Sequence, residues 1–380
     1  MNLGNVKSNN QSSVLRLLSD KGAMSRKDIA KEVGLTAASV TSICAELLEN
    51  GIIVELGEVE EEKRAGRKKI LVDLNPDYKR VLCLAIESDK TYITLADIKG
   101  NIIDKAEIAT DTKAEPEKFL EKASNRAGNL LWDNNISKDT LLGIGVTLPG
   151  IVDERSGISI GEHSIWNTIV PVADMIKKTL NTNVFVENNL KAAAQYEILF
   201  GRGREEKNLF LLKWGPGVGS AMIIDGKVYN GANNMAGEIG HTALEKSDRK
   251  CICGQKGCLE LYVSTHAILD DIKDKNGDSK AYKKNLNLLG DDAVKDIMDE
   301  KIDRMARSLR NFVSLIDPDR VVVLGYIFDV PDILERFKKV YRKYDENIGD
   351  DFIVRSALES RNAHVEPLSM VLNDFLNYRF

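Results

Sequence analysis

One His and three Cys gathered in a short glycine-rich stretch constrain this chain more than any other feature. The stretch reads Gly237-Glu238-Ile239-Gly240-His241, then nine residues, then Cys251-Ile252-Cys253-Gly254-Gln255-Lys256-Gly257-Cys258-Leu259-Glu260. Four soft ligands close one tetrahedral zinc, and Gly254 and Gly257 let the loop turn tightly enough for three thiolates to converge. Buried free cysteines are common in cores, yet a core gives them no reason to cluster in a polar loop behind a histidine. A disulfide needs an oxidising compartment, and the opening Met1-Asn2-Leu3-Gly4-Asn5 lacks the apolar core of an export signal. The expected cofactor is therefore a structural zinc on His241, Cys251, Cys253 and Cys258. Glu238 and Glu260 flank these ligands. Carboxylates held beside an imidazole suit sugar hydroxyls, whereas an isolated Glu reads as a solvated surface acid, so the residues alone leave their role open.

The same stretch is similar to the signature of the ROK family (repressors, open reading frames and sugar kinases), Gly-Glu-x-Gly-His followed by Cys-x-Cys-Gly-x-x-Gly-Cys-x-Glu. The resemblance implies an α/β fold: an N-terminal winged helix-turn-helix and a two-lobed actin-like sugar-kinase body. It implies structural zinc on the His and three Cys, and sugar contacts from Glu238, His241 and Glu260. Leu148-Pro149-Gly150 resembles the family's Gly-x-Pro-Gly, Trp166-Asn167 its sugar loop and Glu187-Asn188-Asn189 its Glu-Asn-Asp, which adds Asn167, Asn188 and Asn189 to the expected sugar contacts.

Three departures bear on activity. In the kinases the Asp of Glu-Asn-Asp is the general base; here Asn189 stands there, and an amide accepts no proton near neutral pH. Where the kinases have Asp-Ile-Gly-Gly-Thr, this chain has Ala85-Ile86-Glu87-Ser88-Asp89, which lacks both glycines and adds acids that repel a triphosphate. Gly325 is followed by Tyr326 instead of a second glycine. Sugar binding is expected to be kept and phosphoryl transfer lost, so no enzyme is expected.

The N-terminal part supplies a second function. Val14, Leu15, Leu17 and Leu18 recur at helical spacing over 10–20, Ser25 caps a helix over Arg26–Val33, and Thr36 caps a third. Ala37, Ala38, Ser39, Thr41 and Ser42 are left on its outer start, small enough to approach a major groove. Two apolar runs, 52–54 and 70–72, flank a basic tip from Lys63 to Lys69 and read as a wing. A basic run alone is usually a solvated loop; three helices before it favour DNA. The expected contacts are Ser25, Arg26, Thr36, Ala38, Ser39 and Thr41, with Arg67 in a minor groove and Lys68 on phosphate.

Strands and helices alternate after Asn75-Pro76-Asp77, which predicts α/β layers and units over 1–75, 76–190 and 191–380. No internal repeat stands out. The net charge of -5 leaves room for a small basic surface on an acidic body, and no apolar run reaches the ~18 residues of a membrane span. The expectation is a cytoplasmic, sugar-responsive repressor acting on a double-stranded operator as a homo-oligomer, dimer or tetramer. The alternatives are an active sugar kinase with an accessory DNA-binding head, and a repressor governed by a protein partner without any sugar.

Overall fold

The computed structural model describes residues 3–59, 69–161, 165–245, 247–358 and 364–377. Helix α1 (Leu3–Lys21) starts well before the predicted residue 10, because its first two turns are mostly polar and carry no apolar period. Strand β1 (Met24–Ser25) follows, then α2 (Arg26–Val33) with the predicted bounds and α3 (Ala37–Glu49), which starts after the predicted Thr36 cap. Both caps form: Ser25 Oγ accepts from the Asp28 N–H at 3.2 Å and Thr36 Oγ1 from the Ser39 N–H at 3.1 Å. Strands β2 (Ile53–Val59) and β3 (Lys69–Leu74) pair antiparallel, with β1 on the far side of β3. A two-residue strand is too short for alternation to reveal, so β1 was not legible. The wing tip, Arg67 and Lys68 included, lies outside the described residues.

The first lobe contains β4 (Arg80–Ile86), β5 (Lys90–Asp97), β6 (Ile102–Ala109), α4 (Pro116–Asp133) and β7 (Leu141–Leu148). The short pair β8 (Val152–Asp153) and β9 (Ile158–Ser159), then α5 (Val172–Leu180) and β10 (Val184–Asn188), complete it, and α6 (Asn189–Phe200) follows, packed mainly on the second lobe's sheet. The second lobe contains β11 (Leu209–Trp214), β12 (Val218–Ile224), β13 (Lys227–Val228), α7 (Glu260–Val263), α8 (Thr265–Asn276), α9 (Lys280–Lys284) and α10 (Lys295–Ile316). After it come β14 (Arg320–Leu324), α11 (Tyr326–Asp329), α12 (Ile333–Tyr341), β15 (Ile353–Arg355) and α13 (Pro367–Leu376).

The two lobes repeat one topology. The first sheet runs β6-β5-β4-β7-β10 and the second β13-β12-β11-β14-β15, each with two antiparallel pairings followed by two parallel ones. No repeat shows in the sequence because strand order is duplicated while the residues are not. In both sheets the strand ends that carry unusual residues (Glu87, Gly150, Asn189, Gly215, Gly325) are carboxyl ends, where open α/β sheets place their ligands.

Helix α13 reaches beyond the expected 191–380 unit: it packs on β4 and β7 of the first sheet and against α6, which itself lies mainly on β12 and β11 of the second. The cause lies in β7. A β-carbon on Gly145 would stand 2.1 Å from the Pro367 carbonyl oxygen, and one on Gly143 would stand 3.1 Å from Val371 Cγ1. Two glycines one register step apart open a groove that the helix fills. Its Leu368, Val371, Leu372 and Phe375 share one apolar cluster with Val14, Leu15 and Leu18 of α1. Arg16 seals the edge, donating from Nη2 to Asn373 Oδ1 (3.1 Å) and Asn377 Oδ1 (2.8 Å). The stretch Asn75-Pro76-Asp77, expected as a plain linker, is tied back as well, Asn75 Nδ2 donating to the Gly51 carbonyl at 2.8 Å.

Gly145→Ala places a methyl where the Pro367 carbonyl sits, and overpacking of this kind costs ~1–3 kcal/mol. Urea unfolding should show a lower midpoint with an unchanged slope; an unchanged midpoint would mean that α13 is not seated there.

Candidate functional site

The Gly-Glu-x-Gly-His segment lies against β12 because its glycines allow it. A β-carbon on Gly240 would stand 2.1 Å from the Val218 carbonyl oxygen, and one on Gly237, whose φ is +96°, 2.5 Å from that of Ser220. This contact fixes the two residues between and beside them, Glu238 and His241. Glu260, the first residue of α7, reaches the same strand: its Oε2 accepts from the Val218 N–H at 2.8 Å. His241 turns Nε2 toward Glu238 Oε2 at 4.0 Å and Nδ1 toward Cys251 Sγ at 3.4 Å.

The ligand atoms of His241, Cys251, Cys253 and Cys258 all lie within 4.8 Å of one another, and Cys253 Sγ is 3.6 Å from Cys258 Sγ. Bonds of about 2.0–2.3 Å to a tetrahedral centre put neighbouring ligands about 3.5–3.8 Å apart, so the donor set and the spacing both fit a four-coordinate metal ion. Packing thiols together without a cation is costly, and burial with the neighbouring thiols pushes Cys258 up to about 12. With Nδ1 on a metal, the Nε2–H of His241 is left facing Glu238, which would fix the ring's tautomer.

The other wall comes from the start of α6. Asn188 is the helix cap: its Oδ1 accepts from the N–H groups of Leu190 and Lys191, and its Nδ2 donates to the Gly150 carbonyl at 2.8 Å. Asn189, next along, is buried and donates from Nδ2 to Glu87 Oε1 at 3.1 Å. Behind it burial pushes the Glu187 carboxyl up to about 8, with the Glu154 carboxyl beside it adding to the rise. Lys191, which sequence reasoning passed over, is buried and donates to the Asn234 carbonyl at 3.0 Å. Burial lowers its pKa while Glu187, Glu154 and Glu238 pull it upward, so this ammonium lies between the two walls of the cleft. Trp166 packs into the first-lobe core, and Asn167 is exposed, with no hydrogen bond to the other candidates among the described residues.

On the side where kinases hold phosphates, Glu87 directly follows β4, with Asp89 two residues on. Tyr326 comes from the opposite lobe, and its phenol is pushed up by burial, by Asp89 and by Glu87. His364 and Glu366 join Glu87 there; neither was read from the sequence, because an acid at the start of a helix is an ordinary first-turn residue.

In the head, Ala38 and Thr41 are exposed on the start of α3 and Ser39 is half-buried. Thr36 Oγ1 and Ser39 Oγ are 2.8 Å apart, and Thr41 Oγ1 donates to the Ala37 carbonyl. Arg26 pairs with Glu55 at 2.6 Å. Ser25 is a correction to the expected contacts: it is 4 % exposed, its hydroxyl bonded to Asp28, so it shapes the head instead of facing outward.

This architecture matches known proteins along its length. Residues 81–364 match the ROK family model and residues 8–54 a winged helix-turn-helix DNA-binding model, so the chain belongs to the ROK family and carries a DNA-binding head. Among its relatives, the xylose repressor of Caldicellulosiruptor bescii is 27% identical over 98% of both chains. The xylose repressor of Bacillus subtilis is 25% identical over 98% of this chain and 97% of its own, and the Escherichia coli repressor Mlc is 25% identical over 87% and 84%. A ROK transcriptional regulator homologous to Mlc superposes with a TM-score of 0.80 at 23% identity, covering 98% of each chain. A ROK hexokinase from Thermus thermophilus gives 0.64 at 22% identity over 76% of this chain and 97% of its own. No helix among the described residues is long and apolar enough to cross a membrane.

Four ligands around one centre predict about one metal ion per chain in the purified protein. Cys253→Ser should lower that content in plasma mass spectrometry and, because the loop carries Glu238 and Glu260, weaken sugar binding more than DNA binding. Full metal loss with unchanged sugar affinity would break the link between loop and cleft.

Proposed function

We propose that the chain is a transcriptional repressor whose body binds a small sugar without phosphorylating it. The hydrogen bond from Asn189 to Glu87 carries this reading. At the place of the kinase base stands an amide, and it is held by a carboxylate at the place of the first phosphate loop. One contact thus removes both the proton acceptor and the cradle, and positioning with charge stabilisation supplies nearly all the rate of phosphoryl transfer. On the sugar side the acceptors remain: Glu238, His241 and Glu260 from the second lobe face Asn188 and Asn189 from the first, with Asn167 at the rim. A structural zinc on His241, Cys251, Cys253 and Cys258 holds the first of these walls. Relatives named as xylose and N-acetylglucosamine repressors make a pentose or a hexose the effector class.

The head reads DNA through Thr36, Ala38, Ser39 and Thr41, with Arg26 at the flank and Arg67 and Lys68 at the wing tip. One winged helix covers a short site, so a homodimer on two half-sites supplies specificity. The protein acts in the cytoplasm. Sugar binding shifts the lobes, and the shift reaches the head through α6, α13 and α1, which pack in series. The shift is no larger than the sugar's differential affinity for the two arrangements.

Calorimetric titration with xylose, glucose and N-acetylglucosamine, followed by a coupled ATP-consumption assay with whichever binds, tests the reading. Binding without turnover is expected, for the native chain and for Asn189→Asp, since that change restores a base but no phosphate cradle. Clear turnover by Asn189→Asp would show a working phosphate site, and turnover by the native chain would make it a kinase.

A further inference from the structure

At the end of β4, Glu87 meets two residues that the sugar site does not use, His364 and Glu366. One ligand atom from each lies within 4.8 Å of the other two. Each residue is held from behind. Asn189 Nδ2 donates to Glu87 Oε1 at 3.1 Å, and Thr147 Oγ1 donates to Glu366 Oε1 at 3.0 Å. The His364 ring stacks on Tyr92, with centroids 3.4 Å apart and planes 5° from parallel. One oxygen of each carboxylate is thus tethered. Glu366 is 3 % exposed, yet its Oε2 accepts no hydrogen bond from any described residue.

A buried acceptor without a donor is unfavourable, and here it stands among two further groups able to give electron pairs. Lys213 acts on both Glu366 and His364, and Lys105 on His364, but only at a distance: among the described residues neither lysine forms an ion pair with them. A compact positive charge that takes both oxygen and nitrogen donors would complete the set. We propose that Glu87, His364 and Glu366 bind a divalent first-row metal ion of the Mn2+ type, at a site separate from the thiolate loop. Bonds of about 2.0–2.2 Å put ligand atoms about 3–4 Å apart, so small side-chain rotations close the observed spacing. Carboxylates suit Mn2+, the imidazole adds a nitrogen donor, and the thiolates of the loop take zinc first, so Mn2+ added to zinc-loaded protein reports on this second site. The hydrogen bonds from Asn189 and Thr147 orient the ligands as outer partners of metal ligands do. Because Glu366 stands just before Pro367, the ion ties the end of β4 to the start of α13. The site does not depend on whether the body binds a sugar.

The full-length protein, loaded with one equivalent of Zn2+, is titrated with Mn2+ while free Mn2+ is followed by electron paramagnetic resonance. One bound Mn2+ per chain is expected. Losing an outer partner of a metal ligand already costs ~10–100-fold in affinity, so Glu366→Gln and His364→Ala should each weaken binding by at least about tenfold, while Cys253→Ser, titrated without added Zn2+, should leave it unchanged. Glu366→Gln keeps the size of the side chain, and thermal unfolding of both variants without added metal checks that each keeps its fold; His364→Ala tests the site independently. No bound Mn2+ up to about 1 mM, equal affinity in both variants and the native chain, or loss of binding in Cys253→Ser would each overturn the proposal.

Discussion

Pro367 rests its carbonyl oxygen where a β-carbon on Gly145 would come within 2.1 Å, and this seat sets the place of α13 in the molecule. From it the helix touches β4, β7 and α6, and shares an apolar cluster with α1 of the head. The last helix of the chain is thereby built into the first lobe and into the DNA-binding unit together. Burial of its apolar residues across three bodies makes the head a packed part of the structure, fastened at the rim by Arg16 on Asn373 and Asn377.

The cleft keeps a kinase's frame and changes what the frame carries. Two sheets of one strand order present their carboxyl ends to each other, and the close approach of Gly237 and Gly240 to β12 delivers Glu238 and His241 to one wall. These are features of backbone geometry. In the proposed reading the chemistry turns on a few side chains: an amide for a base at Asn189, Glu87 and Ser88 for two glycines, and a phenol at Tyr326. Burial raises the cost of each uncompensated charge there, which is why Glu187 and Glu366 are both pushed up to about 8.

Much of this was legible in the sequence. The caps Ser25 and Thr36, the strand Arg320–Leu324 and the helix Val172–Leu180 stand where capping residues and apolar spacing put them, because those signals are local. The convergence of His241 with the three Cys was legible too, since the ligands are close in the chain. What escaped depends on distant contacts. The partner of α13 is decided by two glycines over 200 residues earlier, Gly143 and Gly145. Ser25 reads as a surface residue at a helix start and is instead covered by the head's own packing. His364 and Glu366 acquire meaning only when the fold brings them to Glu87.

The central claim, that the cleft and the head are coupled through α13, is tested most directly by Arg16→Ala. DNA affinity is measured with and without saturating sugar in the native protein and in the variant, and sugar affinity is measured in both. Coupling of this kind typically amounts to about 5–150-fold. The ratio of the two DNA affinities should fall toward one in the variant while its sugar affinity and its sugar-free DNA binding persist. A variant that keeps the native ratio would contradict the coupling.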